Sequence, residues 1–176
     1  MKTRFEDLLG RHEKEIYRFA WRMTGNPDDA ADILQDTFLR AFKAYRKLPL
    51  DANHRAWLYK IASRLALNHA RSVKVRRSVP LDEVSHLPER SGDLESLVEA
   101  KRLANVLEGV LARLSSKQRV ALLQRKYEGL SYREVAATLG CSEATARAHV
   151  YQAMEKVRRG LDVPAKRGGR KNAGRS

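Results

Sequence analysis

Two short helical patterns, separated by a three-residue break, make up the stretch LSYREVAATLGCSEATARAHV, which runs from Leu130 to Val150. Gly140 opens the break where a helix can end in a left-handed residue, and Ser142 closes it as a good cap for the next helix. This pattern is typical of a helix-turn-helix, whose second helix enters the major groove of DNA. A bent hairpin inside a helical core has the same pattern, so the rest of the chain must decide.

The helix after the break turns small and hydrogen-bonding side chains away from its apolar stripe of Ala146, Val150 and Ala153. Such groups can meet base edges, and cations further along can meet phosphate. The alternative is that these side chains, Arg147 and Gln152 among them, are simply solvated. The predicted DNA-reading residues are Ser142, Thr145, Arg147, Ala148, His149, Tyr151, Gln152 and Arg158.

The chain of 176 residues carries a formal net charge of +14, from 35 basic and 21 acidic residues. This excess favours a polyanionic partner, either nucleic acid or an anionic membrane surface, although charge can also serve solubility alone. Basic residues exceed acidic ones both before residue 76 and after residue 96, whereas 76–96 is net acidic. The positive charge is therefore not confined to the C-terminal end.

Several functional classes lack their sequence signatures here. No apolar run approaches the length that spans a bilayer, and the N-terminal residues lack the apolar core of a signal peptide. The single cysteine, Cys141, allows no intrachain disulfide and is expected to fill the turn as a small apolar side chain. These features predict a cytoplasmic protein without membrane insertion.

The chain also lacks the motifs of common catalytic and metal sites. Its five histidines are not spaced as zinc ligands, and phosphate-binding and nucleophile motifs are missing. We therefore expect no metal, no cofactor, no catalytic residue and no enzymatic activity.

Apolar residues recur at helical spacing almost throughout, which predicts an all-α fold. Asn26 and Pro27 suit the cap and first position of a second helix, and a loop at 47–53 precedes a third helix over 54–74. The predicted buried faces are Phe5, Leu8, Leu9, Ile16, Phe19, Ala20 and Met23 in the first helix, Ala31, Leu34, Phe38, Ala41, Phe42 and Tyr45 in the second, and Trp57, Leu58, Ile61, Ala62 and Leu65 in the third.

Two domains and a tail follow from this organisation. Residues 1–75 form the first domain, and 76–96, with two prolines and a Ser-Gly pair, form a flexible linker. Residues 97–163 form the second domain. Residues 164–176 carry five basic residues and no acid, and we expect them to be a disordered basic tail.

The second domain has clear helix starts. The patterns Ser115–Gln118 and Ser131–Glu134 are capping boxes, each of which opens a helix. The predicted apolar positions are Leu97, Ala100, Leu103, Ala104, Leu107, Leu111 and Leu114, followed by Ala146, Val150, Ala153, Val157 and Leu161 along the last helix.

Three segments together resemble one known family, the extracytoplasmic-function sigma factors of bacterial RNA polymerase. Region 4 of that family resembles LSSKQRVALLQRKYEGLSYREVAATLGCSEATARAHVYQAMEKVRRGL. Region 2.2 resembles DDAADILQDTFLRAFKAYRKL, and regions 2.3 and 2.4 resemble HRAWLYKIASRLALNHARS. The likeness covers about residues 5–75 and 97–161, in the family's order.

The resemblance implies a fold of two small helical domains, a region 2 bundle and a region 4 helix-turn-helix, joined by the linker. It implies binding to the RNA polymerase core through its clamp and flap regions, and to promoter DNA. Region 2 would hold and help open the −10 element, and region 4 would read the −35 element. An anti-sigma factor is a further expected partner, and RNA synthesis would belong to the polymerase.

One face of the second helix suits a protein partner. It lies about a right angle from the predicted buried stripe and is largely acidic, and Leu39 stands in it as an interface anchor would. A purely solvated face is the alternative, which best fits the acids at the helix start. The predicted residues for binding the polymerase core are Asp32, Gln35, Asp36, Leu39 and Lys43.

The third helix and the loop before it are the predicted −10 surface. Cations spaced along one stripe can follow a phosphate backbone, and the loop corresponds to the one that captures a flipped-out base in the family. Turn formation is the alternative role for the loop residues. Trp57 and Tyr59 are candidates for stacking on open bases, but Trp57 is expected mainly in the core because it lies on the apolar stripe, and both roles stay open for Tyr59. The predicted −10 residues are Asp51, Asn53, Lys60, Arg64, Asn68 and Arg71.

The sequence departs from the family pattern at several of these positions. His54 stands where Phe is common, and Arg64 stands where Asn is frequent. Ala148, His149 and Gln152 replace the commoner Ser, Arg and Arg of the recognition helix. These differences bear on which promoter is read, and His149 can face either DNA or solvent.

Three other functions compete with this interpretation. An autonomous helix-turn-helix regulator would need a ligand or phosphoacceptor domain, for which residues 1–75 offer no pattern. A non-specific architectural protein would explain the tail but not a structured recognition helix. A helical enzyme would need converging catalytic groups, which the sequence does not provide.

Overall fold

A computed structural model describes residues 4–49, 51–76 and 109–162 of the chain. Every regular element within these ranges is helical, which confirms the predicted all-α class. The predicted linker beyond residue 76, the apolar positions from Leu97 to Leu107 and the basic tail lie outside the described residues. The elements are α1 (Phe5–Thr24), α2 (Pro27–Tyr45), α3 (His54–Arg76), a short helical segment at 109–112, α4 (Ser116–Leu122), a π-helical turn (Leu123–Tyr127), α5 (Tyr132–Leu139) and α6 (Glu143–Asp162).

The predicted break between α1 and α2 is confirmed. Gly25 has a φ of 69°, and its N–H donates to the Trp21 carbonyl, so the helix ends in a left-handed residue. The Asn26 side chain then accepts the N–H groups of Asp28 and Asp29 at 2.8 and 3.1 Å, and Pro27 occupies the first helical position. The local sequence therefore fixes the angle at which the chain enters α2.

The buried stripe of α2 differs from the predicted one. Ala31 and Phe42 were expected in the core but are exposed, whereas Ile33 and Thr37 are buried. Thr37 tolerates burial because its hydroxyl donates to the Ile33 carbonyl at 2.6 Å. Because Thr37 is polar, an apolar pattern does not assign it to the buried face of α2. The predicted buried stripe is therefore displaced around the helix from the observed one.

Most of the residues predicted to be buried in α1 and α3 are buried in the structure. Leu9 is exposed, while His12 takes a place on the buried face of α1. In α3, Trp57 and Ile61 are only half-buried, and the helix continues to Arg76, two residues beyond the predicted end. The fully buried α3 positions are Leu58, Tyr59, Ala62, Ser63 and Ala66. This face is wider than predicted because α3 packs on α1 and α2 in the first half of the molecule (described residues up to 76) and also on α4 and α5 in the second half (residues 109–162).

Two helices of the second half, α4 and α5, each begin with a capping box that is formed in the structure. The Ser115 hydroxyl accepts the Gln118 N–H, and the Ser131 hydroxyl accepts the Glu134 N–H. Between these helices the chain widens into a π-helical turn, in which the Glu128 N–H donates to the Leu123 carbonyl. Such turns are rare, and they often occur where side chains must be redirected.

The last helix follows the predicted stripe except at its end. Ala146, Val150 and Ala153 are buried, Val157 is half-buried, and Leu161 is 48% exposed, contrary to the prediction. None of the helices within the described ranges combines the length and the apolar character needed to span a bilayer.

The helical segment at 109–112 lies against the end of α6. An added Cβ on Gly160 would lie 2.2 Å from a methyl group of Val110, so only glycine fits there without a shift of the branched valine. Gly10, in the middle of α1, has open space around the same position.

Gly10→Ala and Gly160→Ala form a matched pair for this contact. Gly10→Ala should raise the free energy of unfolding by about 0.5–1 kcal/mol, through helix propensity alone. Gly160→Ala has the same gain but adds overpacking, so we expect a net loss of roughly 1–2 kcal/mol. Chemical denaturation monitored by circular dichroism measures both, and equal stabilisation in the two variants would contradict the contact.

Candidate functional site

The predicted partner face of α2 is exposed. Asp32, Gln35, Asp36, Leu39 and Lys43 all reach solvent, and Leu39 is 49% exposed. Phe42 lies one turn from Leu39 and is 62% exposed. The face therefore has an apolar pair surrounded by polar and charged groups, which is the usual composition of a protein-binding patch. The sequence pattern missed Phe42 because it assigned that residue to the core.

The cations predicted on α3 form a continuous outer stripe. Arg64, Asn68 and Arg71 are exposed, and Lys60 is half-buried. They recur at intervals of three or four residues, so they lie above one another along the helix. No described carboxylate lies within 4.0 Å of the charged groups of Lys60, Arg64 or Arg71. The stripe is thus available to a polyanion.

The loop before α3 gives its two predicted residues different surroundings. Asp51 is exposed in the turn. Asn53 accepts the Ala56 N–H at 3.0 Å, as a helix cap does, and its amide donates to Glu134 at 2.7 Å. The turn-forming role that the sequence left open for Asn53 is therefore present, and one of its two amide N–H donors is engaged by Glu134 in the second half of the molecule.

Tyr59 does not lie where a base-stacking residue would. Its side chain is fully buried, with the ring edge-on to Phe19 at 5.4 Å, so Tyr59 takes the core position that the sequence left open. Its hydroxyl donates to Glu128 at 2.6 Å. Burial and this hydrogen bond raise the pKa of Tyr59 well above its usual range.

Glu128 is the centre of a polar cluster between the two halves. Its side chain is 6% exposed and lies 2.9 Å from Arg22 and 3.8 Å from Arg55, in addition to the Tyr59 contact. Nearby, Gln124 donates to the Ser63 hydroxyl at 2.7 Å, in a fully buried position. The π-helical turn points both residues at the first half. Apolar residues of both halves form a continuous core around this cluster.

The helix-turn-helix has the geometry that its sequence predicts. Gly140 has a φ of 64° and ends α5, and the Ser142 hydroxyl accepts the Thr145 N–H at 3.1 Å to begin α6. Cys141 is half-buried against the core, as expected for an apolar plug. Ala136 is buried at the helix contact, which keeps α5 close to the rest of the fold.

The predicted reading face of α6 points outward. His149 alone is half-buried, and its Nδ1 is buried without a hydrogen-bond partner among the described residues. Arg158 is paired with Glu155 at 2.9 Å. The exposed positions are Ser142, Thr145, Arg147, Ala148, Tyr151, Gln152 and Arg158.

Two of these exposed side chains are held by residues that the sequence reading did not select. The Arg147 guanidinium lies 4.4 Å from the centre of the Tyr132 ring, and Arg125 lies 4.9 Å from it. Gln152 accepts a hydrogen bond from Gln118 at 2.9 Å. Neither Tyr132 nor Gln118 lies on α6, so no pattern within the recognition helix could identify them.

The described part of the chain brings no three His, Cys, Asp or Glu side chains together as a possible metal site. Its outward surfaces instead combine one acidic-apolar face, one cationic stripe and one recognition helix. This is a binding protein's arrangement of groups.

Both halves match sequence models of known domains. The sigma-70 region 2 model matches residues 8–76, and the sigma-70 region 4 model matches residues 104–157. The fold and these two matches define a protein of the sigma-70 class.

Individual relatives narrow the class. The ECF RNA polymerase sigma factor SigL of Mycobacterium tuberculosis is 30% identical over 152 residues, which cover 86% of this chain and 85% of SigL. The ECF sigma factor SigE of Mycolicibacterium smegmatis is 29% identical over 155 residues, which cover 88% of this chain but only 60% of SigE. The chain belongs to the ECF sigma factors, and the resemblance found in the sequence is confirmed.

Solved structures agree with this family. The sigma factor RpoE, crystallised with the anti-sigma factor NepR from Bartonella quintana, has a TM-score of 0.70 at 25% identity, covering 92% of this chain and 98% of that one. CnrH, in complex with the cytosolic domain of CnrY, has a TM-score of 0.64 at 25% identity, covering 92% and 89%.

Tyr59→Phe tests the buried contact between the halves. It removes one hydrogen bond to a charged group, so we expect the free energy of unfolding to fall by about 1.5–3 kcal/mol at neutral pH. Tyr127→Phe is the matched control, because Tyr127 is 61% exposed, and its effect should stay within about 0.5 kcal/mol. Equal effects in the two variants, measured by urea denaturation, would exclude a stabilising role for the Tyr59 hydroxyl.

Proposed function

We propose that this chain is a dissociable specificity subunit of bacterial RNA polymerase, which binds the core enzyme and directs it to a set of promoters. The observation that carries the proposal is the presence, in one small chain, of three outward surfaces of different chemistry. The acidic-apolar face of α2 suits protein, and the α3 stripe and α6 suit DNA. The protein itself supplies no catalytic step, and it acts in the cytoplasm, where the polymerase is.

The proposed domains keep the boundaries that the sequence suggests. Residues 1–75 form region 2, 76–96 the linker, 97–163 region 4, and 164–176 a basic tail. The matched ranges of the two family models support this division, since they leave the segment between residues 76 and 104 unassigned.

The α2 face binds the polymerase clamp. Leu39 and Phe42 provide an apolar centre, and Asp32, Gln35 and Lys43 lie around it as a polar rim. Interfaces draw most of their binding energy from such desolvated centres, whereas charged rims contribute mainly specificity and association rate.

Region 4 contacts the flap region of the polymerase.

The α3 surface holds the −10 element. Lys60, Arg64 and Arg71 follow the phosphate backbone, and Asn68 donates to a base or sugar. Asp51 and Asn53 form polar edges for an extruded base. One N–H of the Asn53 amide donates to Glu134, and its second N–H is the donor that a base would meet.

The α6 surface reads the −35 element. Arg147 lies in the second turn, where recognition helices reach base edges, and Arg158 lies near the end, where phosphates are expected. The half-buried His149 contributes less surface than its neighbours.

An anti-sigma factor is the proposed inhibitor. Two structural neighbours, RpoE and CnrH, were solved with their anti-sigma proteins NepR and CnrY. The exposed Leu39 and Phe42 pair would attract such a partner for the same physical reason that it attracts the polymerase.

Reconstituted transcription tests the proposal as a whole. The purified chain is mixed with core RNA polymerase and a promoter library, and transcript starts are mapped by sequencing. Specific starts that depend on the chain are expected. Tight DNA binding without core enzyme, and no starts with it, would favour an autonomous helix-turn-helix regulator instead.

Leu39→Asp should weaken binding to the core enzyme by about 30-fold or more, because it puts a charge at the centre of the patch. Leu9→Asp is the control, since Leu9 is also exposed but lies on α1. Fluorescence anisotropy with labelled protein measures both affinities. An unchanged affinity for Leu39→Asp would remove the α2 face from the interface.

Arg147→Ala should reduce recognition of the −35 element by roughly 5- to 150-fold and leave core binding intact. Initiation from promoters with intact and scrambled −35 elements measures the first effect, and anisotropy measures the second. If Arg147→Ala loses initiation equally on both promoters, Arg147 does not read that element.

A further inference from the structure

Gln118 connects three parts of the second half. It lies in the first turn of α4 and is 8% exposed, beneath the outer face of α6. Its Oε1 accepts the Ser115 N–H at 3.1 Å and the Lys156 ammonium at 2.9 Å. Its Nε2 donates to Gln152 Oε1 at 2.9 Å. Lys156 is itself held by the Arg113 carbonyl at 3.2 Å.

The orientation of the Gln118 amide follows from its neighbours. A backbone N–H and an ammonium can only donate, so both require the amide oxygen. Turning the amide over would break both bonds and place its NH₂ group against the ammonium of Lys156. Gln118 Nε2 must therefore face Gln152, and Gln152 must present its oxygen to Gln118.

Gln118 in turn fixes the orientation of the side-chain amide of Gln152, which is exposed on α6. The hydrogen bond from Gln118 turns the Gln152 oxygen inward, and within the described residues no hydrogen bond engages the Gln152 Nε2. Gln152 therefore offers donors to a ligand. In the major groove, guanine N7 and O6 and thymine O4 accept, adenine both accepts at N7 and donates from N6, and the cytosine edge only donates.

We propose that Gln118 is a positioning residue for promoter recognition: it fixes the amide of Gln152 so that Gln152 donates to guanine or thymine and discriminates against cytosine at one position of the −35 element. This inference rests on the proposed role of α6 in reading that element. Gln118 does not touch DNA, and it acts through the side chain that does.

Gln118→Glu is the decisive variant. Glutamate is the other residue that completes a capping box at this position, so the start of α4 is kept. A carboxylate still accepts from Ser115 and Lys156 but has no donor, so the Gln152 amide must turn its Nε2 inward and its oxygen outward. Cytosine, which donates through N4, then becomes the better ligand.

The experiment uses the holoenzyme and a promoter library randomised over the −35 element. For Gln118→Glu, use of cytosine relative to guanine and thymine should rise about fivefold or more at a single position. A uniform loss of initiation at all sequences would overturn the proposal, since added negative charge alone would have that effect.

Two further variants keep the result interpretable. In a Gln152→Ala background, Gln118→Glu should no longer shift the preference, and persistence of the shift would show that Gln152 is not the reader. Lys156→Met removes one of the two obligate donors, so it should relax discrimination at the same position without reversing it. Unchanged discrimination would count against the proposed constraint.

Failure of the proposed function gives a different result. In that case the unaltered chain produces no −35-dependent starts at all. If it produces them and Gln118→Glu leaves every base preference unchanged, only the inference about the amide fails.

Discussion

The arrangement of the two halves depends on the contacts that the carboxylate of Glu128 makes. A carboxylate that is 6% exposed must be compensated, and the Tyr59 hydroxyl, Arg22 and Arg55 compensate it from α1 and α3. The π-helical turn is the backbone device that points Glu128 and Gln124 in this direction. Tyr59 faces Glu128 in the core, and the cationic stripe lies on the exposed side of the same helix, α3.

The interface between the halves contains polar contacts beside its apolar core. Asn53 donates to Glu134, which also closes the capping box of α5. One N–H of the Asn53 amide donates to Glu134, and the second is available to an extruded base in the role proposed for Asn53. The contact between the halves and the proposed base contact therefore use different donors of the same side chain.

Local backbone requirements could be predicted from the sequence, and contacts between distant segments could not. Asn26, Ser131 and Gly140 each satisfy a need of the adjacent helix end, so a few neighbouring residues identify them. The burial of Tyr59 depends on the second half, which packs on α3, and the exposure of Phe42 depends on the polar Thr37 in the buried stripe of α2. A periodic pattern assumes that each helix has one buried face, and α3 has a wider one because it contacts both halves. The predicted binding residues of α2 are exposed as expected because they lie away from that contact.

The recognition helix does not act alone in presenting its side chains. Arg147 lies against Tyr132 of α5, Gln152 is bonded to Gln118 of α4, and Thr145 is bonded to Ser142 in the turn. A side chain that is already held loses less conformational entropy when it binds, and it approaches the groove with a defined donor or acceptor. In the role proposed for α6, the effect of a substitution there therefore depends also on the residue that supports the substituted side chain. Where this chain departs from the common family pattern, as at Gln152, the supporting helices must be compared together with the recognition helix.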